Sequence, residues 1–301
     1  MPITVTTSVI KAFRKCNSSF YKLAAIQLIT ILTLLTLRPQ TLVAQTLYHA
    51  IPFGGLFENA SSVDVTPTGD FYVTDQDRHR FVVINRGGVR VDSVGNQGSG
   101  NYQFDRPVSV DATNGLKIYI ADRNNRRVQI YDRRDQFLSK IDFTHLRGSG
   151  ALRPESVTVN RLGELFIFNS DRYRIHKFDT NGTYEMSISL SDQRVRHFAG
   201  FTASDDQIII LDRSGGMIHR YNFDGIYQGF LGGFANSVSV KWFGENLWSL
   251  ENGRLIRMDR RGEPISEIHF DPALLPHDFV IHRGSAFLLT RTGLFKLQQS
   301  S

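Results

Sequence analysis

An all-β fold built from repeated units is predicted by three features of the sequence. A segment of about 24 residues recurs six times, with copies that begin at Ser62, Ser109, Ser156, Ala199, Ser237 and His277. Equivalent positions in the copies are 75, 122, 169, 212, 251 and 290, so the steps are 47, 47, 43, 39 and 39 residues. Glycine (25 residues) and phenylalanine (22) are abundant while helix-period segments are scarce, which favours strands.

Each copy contains four short alternating segments separated by turn residues, which we call strands a to d. The second copy shows them as VSVDA (108–112), KIYIAD (117–122), RVQIYD (127–132) and FLSKID (137–142). A four-stranded antiparallel unit repeated every 40 to 50 residues is typical of a propeller blade. One blade cannot bury both of its faces alone, so blades stack in a ring. Six copies therefore predict a six-bladed β-propeller.

The ends of the chain are predicted to meet in the last blade. The sixth copy stops after its third strand, at LFKLQQSS, and the segment TLYHAIPF (46–53) precedes the first copy without belonging to it. We expect 46–53 to supply strand d of the sixth blade. This closure would remove two exposed sheet edges.

Residues 1–44 are predicted to be a secretory signal and are set apart from the fold. Four basic residues and no acidic residue occur in 1–22, followed by an apolar run (23–37) and a segment with small residues. We place cleavage after Ala44. An uncleaved membrane anchor is the alternative, although the run is shorter than the ~20 residues of a membrane span. Both interpretations put residues 45–301 outside the cytoplasm, in the periplasm, on the cell surface or in the medium.

Removing this segment changes the charge of the protein. It contains five of the 35 basic residues and none of the 29 acidic ones, so the remainder carries 30 − 29 = +1. Basicity therefore gives no support for nucleic-acid binding. Cys16 lies in the same segment, so the remainder has no disulfide, thiol nucleophile or cysteine metal ligand.

The second copy resembles a known repeat. Its glycines, Phe104, Pro107 and the runs SVDA, IYIAD and NNRRVQIYD are similar to the NHL repeat. The resemblance covers 46–301, is densest in the second copy and thins after Asp212. It implies a six-bladed propeller, in agreement with the number of copies.

The segment DRNNRR (122–127) recurs between strands b and c as DQDRHR (75–80), NSDRYR (169–174) and, shortened, DRSGG (212–216). The acid or amide that starts it and the arginine five residues later recur in phase, which indicates a structural role. Replacing Asp122 is accordingly expected to destabilise the fold by ~1 kcal/mol.

Residues in this region that do not recur in phase are the candidate binding residues. In an up-and-down blade, the b–c and d–a loops lie on one face, which collects many arginines. We expect this face to bind a protein or carbohydrate partner through guanidinium contacts. RNA binding, known for some NHL domains, is unexpected for an exported protein of charge +1. The expected state is a monomer, and the candidate residues are Arg78, His79, Arg126, Arg172, Tyr173 and His197.

Signatures of enzymes are largely absent. The sequence has no HExxH, GxSxG, phosphate-binding loop or zinc cysteine pattern, and we predict no catalytic residue, metal ligand or cofactor. The alternative is a metal-dependent lyase or hydrolase, because propellers related to this family include lactonases and amidating lyases with a channel metal. A channel calcium or zinc ion would need carboxylates or histidines from several inner strands. Asp64 and Asp111 are equivalent but precede the a–b turn, where aspartate is common for turn reasons. His197 stands in the place of Pro107 and Pro154 and is expected near the top of the channel.

Overall fold

The computed structural model describes residues 45–144, 152–190, 194–204 and 206–299. The predicted signal segment, 1–44, lies outside these residues. The described residues form strands with one short 3₁₀ turn at Pro272–Leu274. None of them belongs to a helix that is long and apolar enough to cross a membrane.

The first four copies each form a four-stranded antiparallel sheet in the order a-b-c-d. Copy one contains β2 (Ala60–Val65), β3 (Phe71–Asp75), β4 (Arg80–Ile84) and β5 (Arg90–Val94). Copy two contains β6 (Pro107–Asp111), β7 (Lys117–Asp122), β8 (Arg127–Asp132) and β9 (Phe137–Asp142). Copy three contains β10 (Pro154–Val159), β11 (Leu165–Asn169), β12 (Arg174–Phe178) and β13 (Tyr184–Ser189). Copy four contains β14 (Phe198–Ala203), β15 (Gln207–Asp212), β16 (Met217–Asn222) and β17 (Tyr227–Gly232).

The last two copies share one eight-stranded sheet with the N-terminal strand, β1 (Gln45–Leu56). Copy five contains β18 (Ser237–Phe243), β19 (Asn246–Glu251), β20 (Arg254–Met258) and β21 (Pro264–His269). Copy six contains β22 (Asp278–His282), β23 (Ser285–Leu289) and β24 (Gly293–Gln299). The fold is thus an all-β propeller of four-stranded antiparallel sheets, with four separate sheets and one sheet of eight strands in the described chain.

The joining of two copies in one sheet departs from six separate blades and has a simple cause. β1 pairs antiparallel with β24, with Tyr48 opposite Gln299 and Pro52 opposite Phe295. Its first residues also pair parallel with β21, with Gln45 opposite Glu267. The N-terminal strand therefore takes the expected place beside the last strand of copy six and also bonds to the outer edge of copy five.

Burial falls from the middle of each sheet to its outer edge. Strand β11 is buried throughout, whereas β9 and β5 at the outer edges of their sheets are mostly exposed. The core lies between neighbouring sheets, as where Ile130 of copy two packs with Val157 and Ile167 of copy three. Strands b and c are covered on both faces, so their sequences are continuous apolar runs without clear alternation.

The c–d turns follow one rule in five copies. A single Asn or Asp side chain accepts hydrogen bonds from the backbone N–H groups two and four residues later, at Asn85, Asp132, Asp179, Asn222 and Asp259. Asn and Asp favour turns through this local bonding. Their regular use keeps strand d antiparallel to strand c in each of these copies.

Deleting residues 46–53 is expected to leave the edges of β21 and β24 unpaired, because β1 bonds to both. We predict aggregation or loss of a single cooperative transition in thermal unfolding followed by circular dichroism. Leu47→Ser is the matched control, since this side chain of β1 is 58% exposed and the substitution leaves the backbone pairing intact. A deletion variant that unfolds like the unmodified protein would contradict the role of β1.

Candidate binding face and central channel

The b–c turns and d–a loops form one face of the propeller, and in-phase acids join the two kinds of loop. Asp122 accepts a hydrogen bond from Asp105 N at 2.8 Å, across 17 residues of chain. Asp75 accepts one from Asn59 N at 3.0 Å, and Asp212 accepts one from His197 N at 2.9 Å. Each acid ends strand b and holds the loop that leads into strand a of its own copy. These bonds agree with the structural role expected of acids that recur at equivalent positions of the copies.

Arg127 is an internal clamp. Its Nε donates to Asp122 Oδ2 at 2.8 Å, and its other nitrogens donate to the carbonyls of Ser99 (2.6 Å), Gly100 (2.9 Å) and Gln103 (2.8 Å). Only 2% of Arg127 is exposed. This guanidinium fixes the d–a loop of copy two and is unavailable to a partner.

The equivalent arginines of copies one and three are held less tightly. Arg80 pairs with Asp75 at 3.3 Å. In copy three the acid is replaced by Asn169, and Arg174 donates to Ser187 instead, at 3.1 Å. Without a carboxylate to bind, Arg174 lies exposed on strand c.

Three of the predicted binding residues are arginines at the face. Arg172 is exposed and Arg126 is half-buried, and neither forms an ion pair within the described ranges. Arg78 is exposed and pairs with Glu58 at 3.0 Å. Arg126 and Arg172 can therefore turn to a partner without losing an ion pair.

His79 and Tyr173 are bound within the loops. His79 Nδ1 accepts from Arg106 N at 3.3 Å. The hydroxyl of Tyr173 donates to Arg196 O at 3.0 Å and accepts from Phe198 N at 2.7 Å. These contacts give both side chains a structural role that the sequence interpretation did not anticipate.

His79, Arg126 and Tyr173 also share one position. Each is the last residue of its b–c turn and has a left-handed backbone, with φ of 50°, 55° and 52°. Gly216 occupies this position in copy four, with φ of 58°. The turn geometry at this position is therefore the same in each copy, although the residue type differs. The type can differ because the turn constrains only the backbone.

His197 does not occupy the place of the prolines. Phe198 pairs with Asp212 in the register in which Pro107 pairs with Asp122, so the equivalent of the proline is Phe198. His197 corresponds to Arg106, since Arg213 N bonds to His197 O as Arg123 N bonds to Arg106 O. Its side chain is exposed on the face and does not line the channel. The a–b hairpin of copy four is one residue shorter, since Phe198 and Asp212 are 14 positions apart while Pro107 and Asp122 are 15 apart, and this shifted the alignment by one residue.

Several exposed arginines of this face have no carboxylate partner in the described structure. We call them, with the half-buried Arg126, the rim arginines; they are Arg106, Arg126, Arg172, Arg196, Arg213 and Arg291. Arg106 and Arg196 come from d–a loops, one and two residues before strand a, and the sequence analysis overlooked them. Their sequence signal is their place three residues before the first residues of their copies, Ser109 and Ala199.

The innermost strands a surround a channel lined by two rings of side chains. Equivalent positions form the first ring: Ser62, Ser109, Ser156, Gly200, Ser239 and Asp278. Two residues further along each strand is the second ring: Asp64, Asp111, Thr158, Thr202, Lys241 and Val280. All members except Val280 line a cavity of about 330 Å³.

The rings bond neighbouring copies together. Asp64 accepts from Ala112 N at 2.6 Å, Asp111 accepts from Val159 N at 2.8 Å, and Asp278 accepts from Val63 N at 2.9 Å. Ser62 and Ser109 accept the N–H groups of Val110 and Val157 in the same way. We call these contacts the inter-blade bonds.

The sequence assigned Asp64 and Asp111 to the a–b turn, and the structure assigns them mainly to the channel. Asp111 keeps a turn contact, from Thr113 N at 3.0 Å. The second oxygen of Asp111, and the same oxygen atom in Asp64, bond to the next copy. Chain neighbours alone could not reveal this, because the partners are 48 residues away.

Charge in the channel is mixed. The Lys241 ammonium lies 2.9 Å from Asp278 Oδ1 and donates to Val63 O at 2.7 Å. Burial raises the pKa of Asp64, against the opposing charge of Lys241. Burial, and then the charge of Asp64, raise the pKa of Asp111 to about 7. Lys241 and Asp278 were not singled out from the sequence.

The channel does not fit a divalent metal ion. No group of three or more His, Cys, Asp or Glu side chains in the described chain is placed to hold one. Lys241 lies against Asp278, and Asp64 and Asp111 already accept backbone N–H groups. An added cation would meet an ammonium and carboxylates that are already engaged.

Asp122→Ala is predicted to destabilise the protein far more than removal of two rim arginines. The substitution leaves the buried guanidinium of Arg127 without its carboxylate, and such a loss costs about 3–5 kcal/mol. This replaces the ~1 kcal/mol expected from a local turn bond. Arg126→Ala with Arg172→Ala should change stability by no more than about 0.5 kcal/mol. Denaturant unfolding of the two variants measures both effects. Equal losses of unfolding free energy would contradict the structural role of Asp122.

A second prediction concerns Asp111 and pH. The pKa of Asp111 rises from 3.8 to about 7 on folding, so the folded chain binds this proton more tightly. Its contribution to stability is therefore present at low pH and is lost as pH rises from about 4 to about 7. Asp111→Asn should remove this loss. We therefore predict that the difference in unfolding free energy, unmodified protein minus variant, falls as pH rises from about 4 to about 7.

The comparison between proteins is needed because burial lowers the pKa of His176 to about 4, which acts oppositely in part of the window. His176 is present in both proteins, so its effect cancels. Denaturant unfolding at four pH values from about 4.5 to 7.5 makes the measurement. A difference that is constant with pH would refute the coupling of Asp111 to folding.

The same repeat is found when the sequence is compared with known proteins. The sequence profile described as NHL repeat matches residues 104–131. The chain is 30% identical over 80 residues to NHL repeat-containing protein 3 of Homo sapiens, covering 26% of this chain and 23% of that protein. It is 28% identical over 130 residues to the Protein brain tumor of Drosophila melanogaster, covering 42% of this chain and 12% of that protein. The chain therefore spans less than a quarter of the length of these relatives.

A likeness to a solved structure supports the fold. The structure of a streptogramin B lyase matches with a TM-score of 0.62 at 13% identity, over 84% of this chain and 98% of that one. At this identity the match concerns the architecture. The profile match at 104–131, the two relatives and the propeller of four-stranded sheets together support an NHL-repeat β-propeller family for this chain.

Proposed function

We propose that this protein is an exported six-bladed propeller that acts as an interaction module. It contacts a protein or carbohydrate partner that carries acidic groups, through the face formed by the b–c and d–a loops. The observation that carries the proposal is the set of rim arginines, which have no carboxylate partner among the described residues. The NHL family supports it, since NHL propellers commonly serve as protein-interaction modules.

The arrangement of the rim suits recognition of carboxylates. The rim arginines come from copies two, three, four and six, so positive charge is spread around the face. A guanidinium can bind a carboxylate with two parallel hydrogen bonds, which gives direction as well as attraction. The clamped loops beneath hold the arginines at fixed spacing, and this lowers the entropy lost on binding.

Six blades follow from treating the eight-stranded sheet as two units. Copy five contributes β18–β21, and copy six contributes β22–β24 with β1 as its fourth strand. Export follows from the basic, apolar and small-residue order of 1–44. Mass spectrometry of the protein from native cells should find an N-terminus near Gln45. An intact, membrane-held chain would argue for the anchor.

A metal-dependent lyase or hydrolase is the competing candidate. The ligand-sized cavity in the channel and the likeness to a lyase in fold favour it. The residues of the channel do not fit a divalent ion, so the interaction module is preferred. Elemental analysis that found stoichiometric calcium or zinc in the purified protein would reverse this preference.

Replacing Arg126 and Arg172 together by alanine is predicted to weaken partner binding without unfolding the protein. Exposed ion pairs contribute about 0.2–1 kcal/mol each, so affinity should fall about 2- to 30-fold. The loss should be larger at low salt than at high salt, because salt screens exposed charges. Binding is measured on the partner recovered from the native cell envelope.

Arg86→Ala with Arg133→Ala is the matched control. Both are exposed arginines on c–d turns, on the opposite face of the propeller. This pair should leave recovery of the partner unchanged. Equal losses from both pairs would indicate non-specific attraction, and no loss from the rim pair would remove the rim from the proposal.

A further inference from the structure

We propose that the central channel is a second binding site, separate from the rim, which takes a small neutral polyhydroxylated molecule of about the size of a monosaccharide. The proposal concerns the cavity enclosed by the two rings of side chains. It does not depend on the rim arginines or on the proposed partner.

The cavity has the size of a ligand site. Its volume of about 330 Å³ lies at the lower end of the range of small-molecule pockets, about 300–1,000 Å³. It is bounded by strands from all six copies, and inter-blade bonds hold copies six, one, two and three together around it. A pocket that is rigid before binding loses little entropy when a ligand enters.

The lining offers what hydroxyl groups need. A hydroxyl both donates and accepts, so it requires acceptors and donors in the same wall. Asp64 and Asp111 provide acceptors, the Lys241 ammonium provides donors, and the ring hydroxyls provide both.

Other classes of ligand fit less well. An anion would face four carboxylates (Asp64, Asp111, Glu155 and Asp278) and the single ammonium of Lys241. An organic cation would come close to that ammonium, and a divalent ion lacks a set of three ligands in the described chain. A wholly apolar molecule would strip water from polar walls without replacing their hydrogen bonds.

Gly200 supplies a test that leaves the inter-blade bonds intact. It lines the cavity at the one first-ring position without a side chain. A β-carbon built there meets nothing within 4 Å, and its φ is outside the left-handed region. Gly200→Leu would thus project into the cavity and occupy the space of a ligand. Gly232→Leu is the matched control, because it also has open space but lies exposed at the end of the outermost strand of copy four.

The experiment uses the full chain with D-glucose, D-galactose and myo-inositol as probes, observed by saturation-transfer NMR and titration calorimetry. We expect at least one probe to bind the unmodified protein and Gly232→Leu equally, and to bind Gly200→Leu at least tenfold more weakly. Thr158→Val, which removes only a second-ring hydroxyl, should weaken binding several-fold and serves if Gly200→Leu fails to fold.

Three results would overturn the proposal. No probe binds the unmodified protein; Gly200→Leu or Thr158→Val binds the probes as tightly as the unmodified protein; or the rim variant loses the probes as fully as Gly200→Leu. The last result would move the small-molecule site to the rim. Loss of the envelope partner in the rim variant with probe binding retained would support both sites, so the two proposals fail separately.

Discussion

The inter-blade bonds of the channel are the contacts on which the rest of this propeller depends. Strand a of each copy pairs with strand b on one side only, so the N–H groups on its channel side have no strand partner. A buried N–H without an acceptor is costly. Side chains of the neighbouring copy provide the acceptor, as Asp64 does for Ala112 and Asp111 for Val159. The same interaction satisfies the N–H groups of the inner edge and ties neighbouring blades together.

Closure of the ring uses this interaction once more, between the ends of the chain. Asp278 of copy six accepts from Val63 of copy one, across 215 residues, while Lys241 of copy five bridges both. At the outside of the sheet, β1 joins β24 and β21. The ring is therefore closed at its inner edge by side chains and at its outer edge by a strand. A buried carboxylate is an acceptable acceptor here because an ammonium lies beside it.

The phase of the repeat marks residues that build the face, although it does not by itself identify those that the face displays, because Arg78 and Arg172 recur at one turn position and are both exposed. Asp122 and Arg127 are in phase and buried, and they hold a loop. Arg172 is exposed and free of ion pairs in the described chain, so it can serve a partner. His79 and Tyr173 qualify this rule, since their position recurs while their residue type does not. A sequence pattern reports the constraint on side chains and misses a constraint on the backbone alone.

Much of the fold could be predicted because each strand has a recognisable pattern of apolar and turn residues in the sequence. The four strands of copy two and the placement of 46–53 beside the last strand agree with the structure. Phe198 was missed because the a–b hairpin of copy four is one residue shorter than that of copy two, so counting back from Asp212 reached His197 instead. Lys241, Asp278 and the channel role of Asp64 were missed because their partners come from other copies. The joining of β21 to β1 likewise depends on how the ends meet in space.

Amide hydrogen exchange measured by NMR tests the inter-blade bonds most directly. The N–H groups of Val63, Ala112 and Val159 point away from strand b, so only the carboxylates of the neighbouring copies can protect them. The account predicts that these amides exchange as slowly as those of Ile120 within its sheet, and that Asp278→Ala speeds exchange at Val63 before it does so at Ile120. Rapid exchange at all three amides in the unmodified protein, with Ile120 protected, would contradict the account.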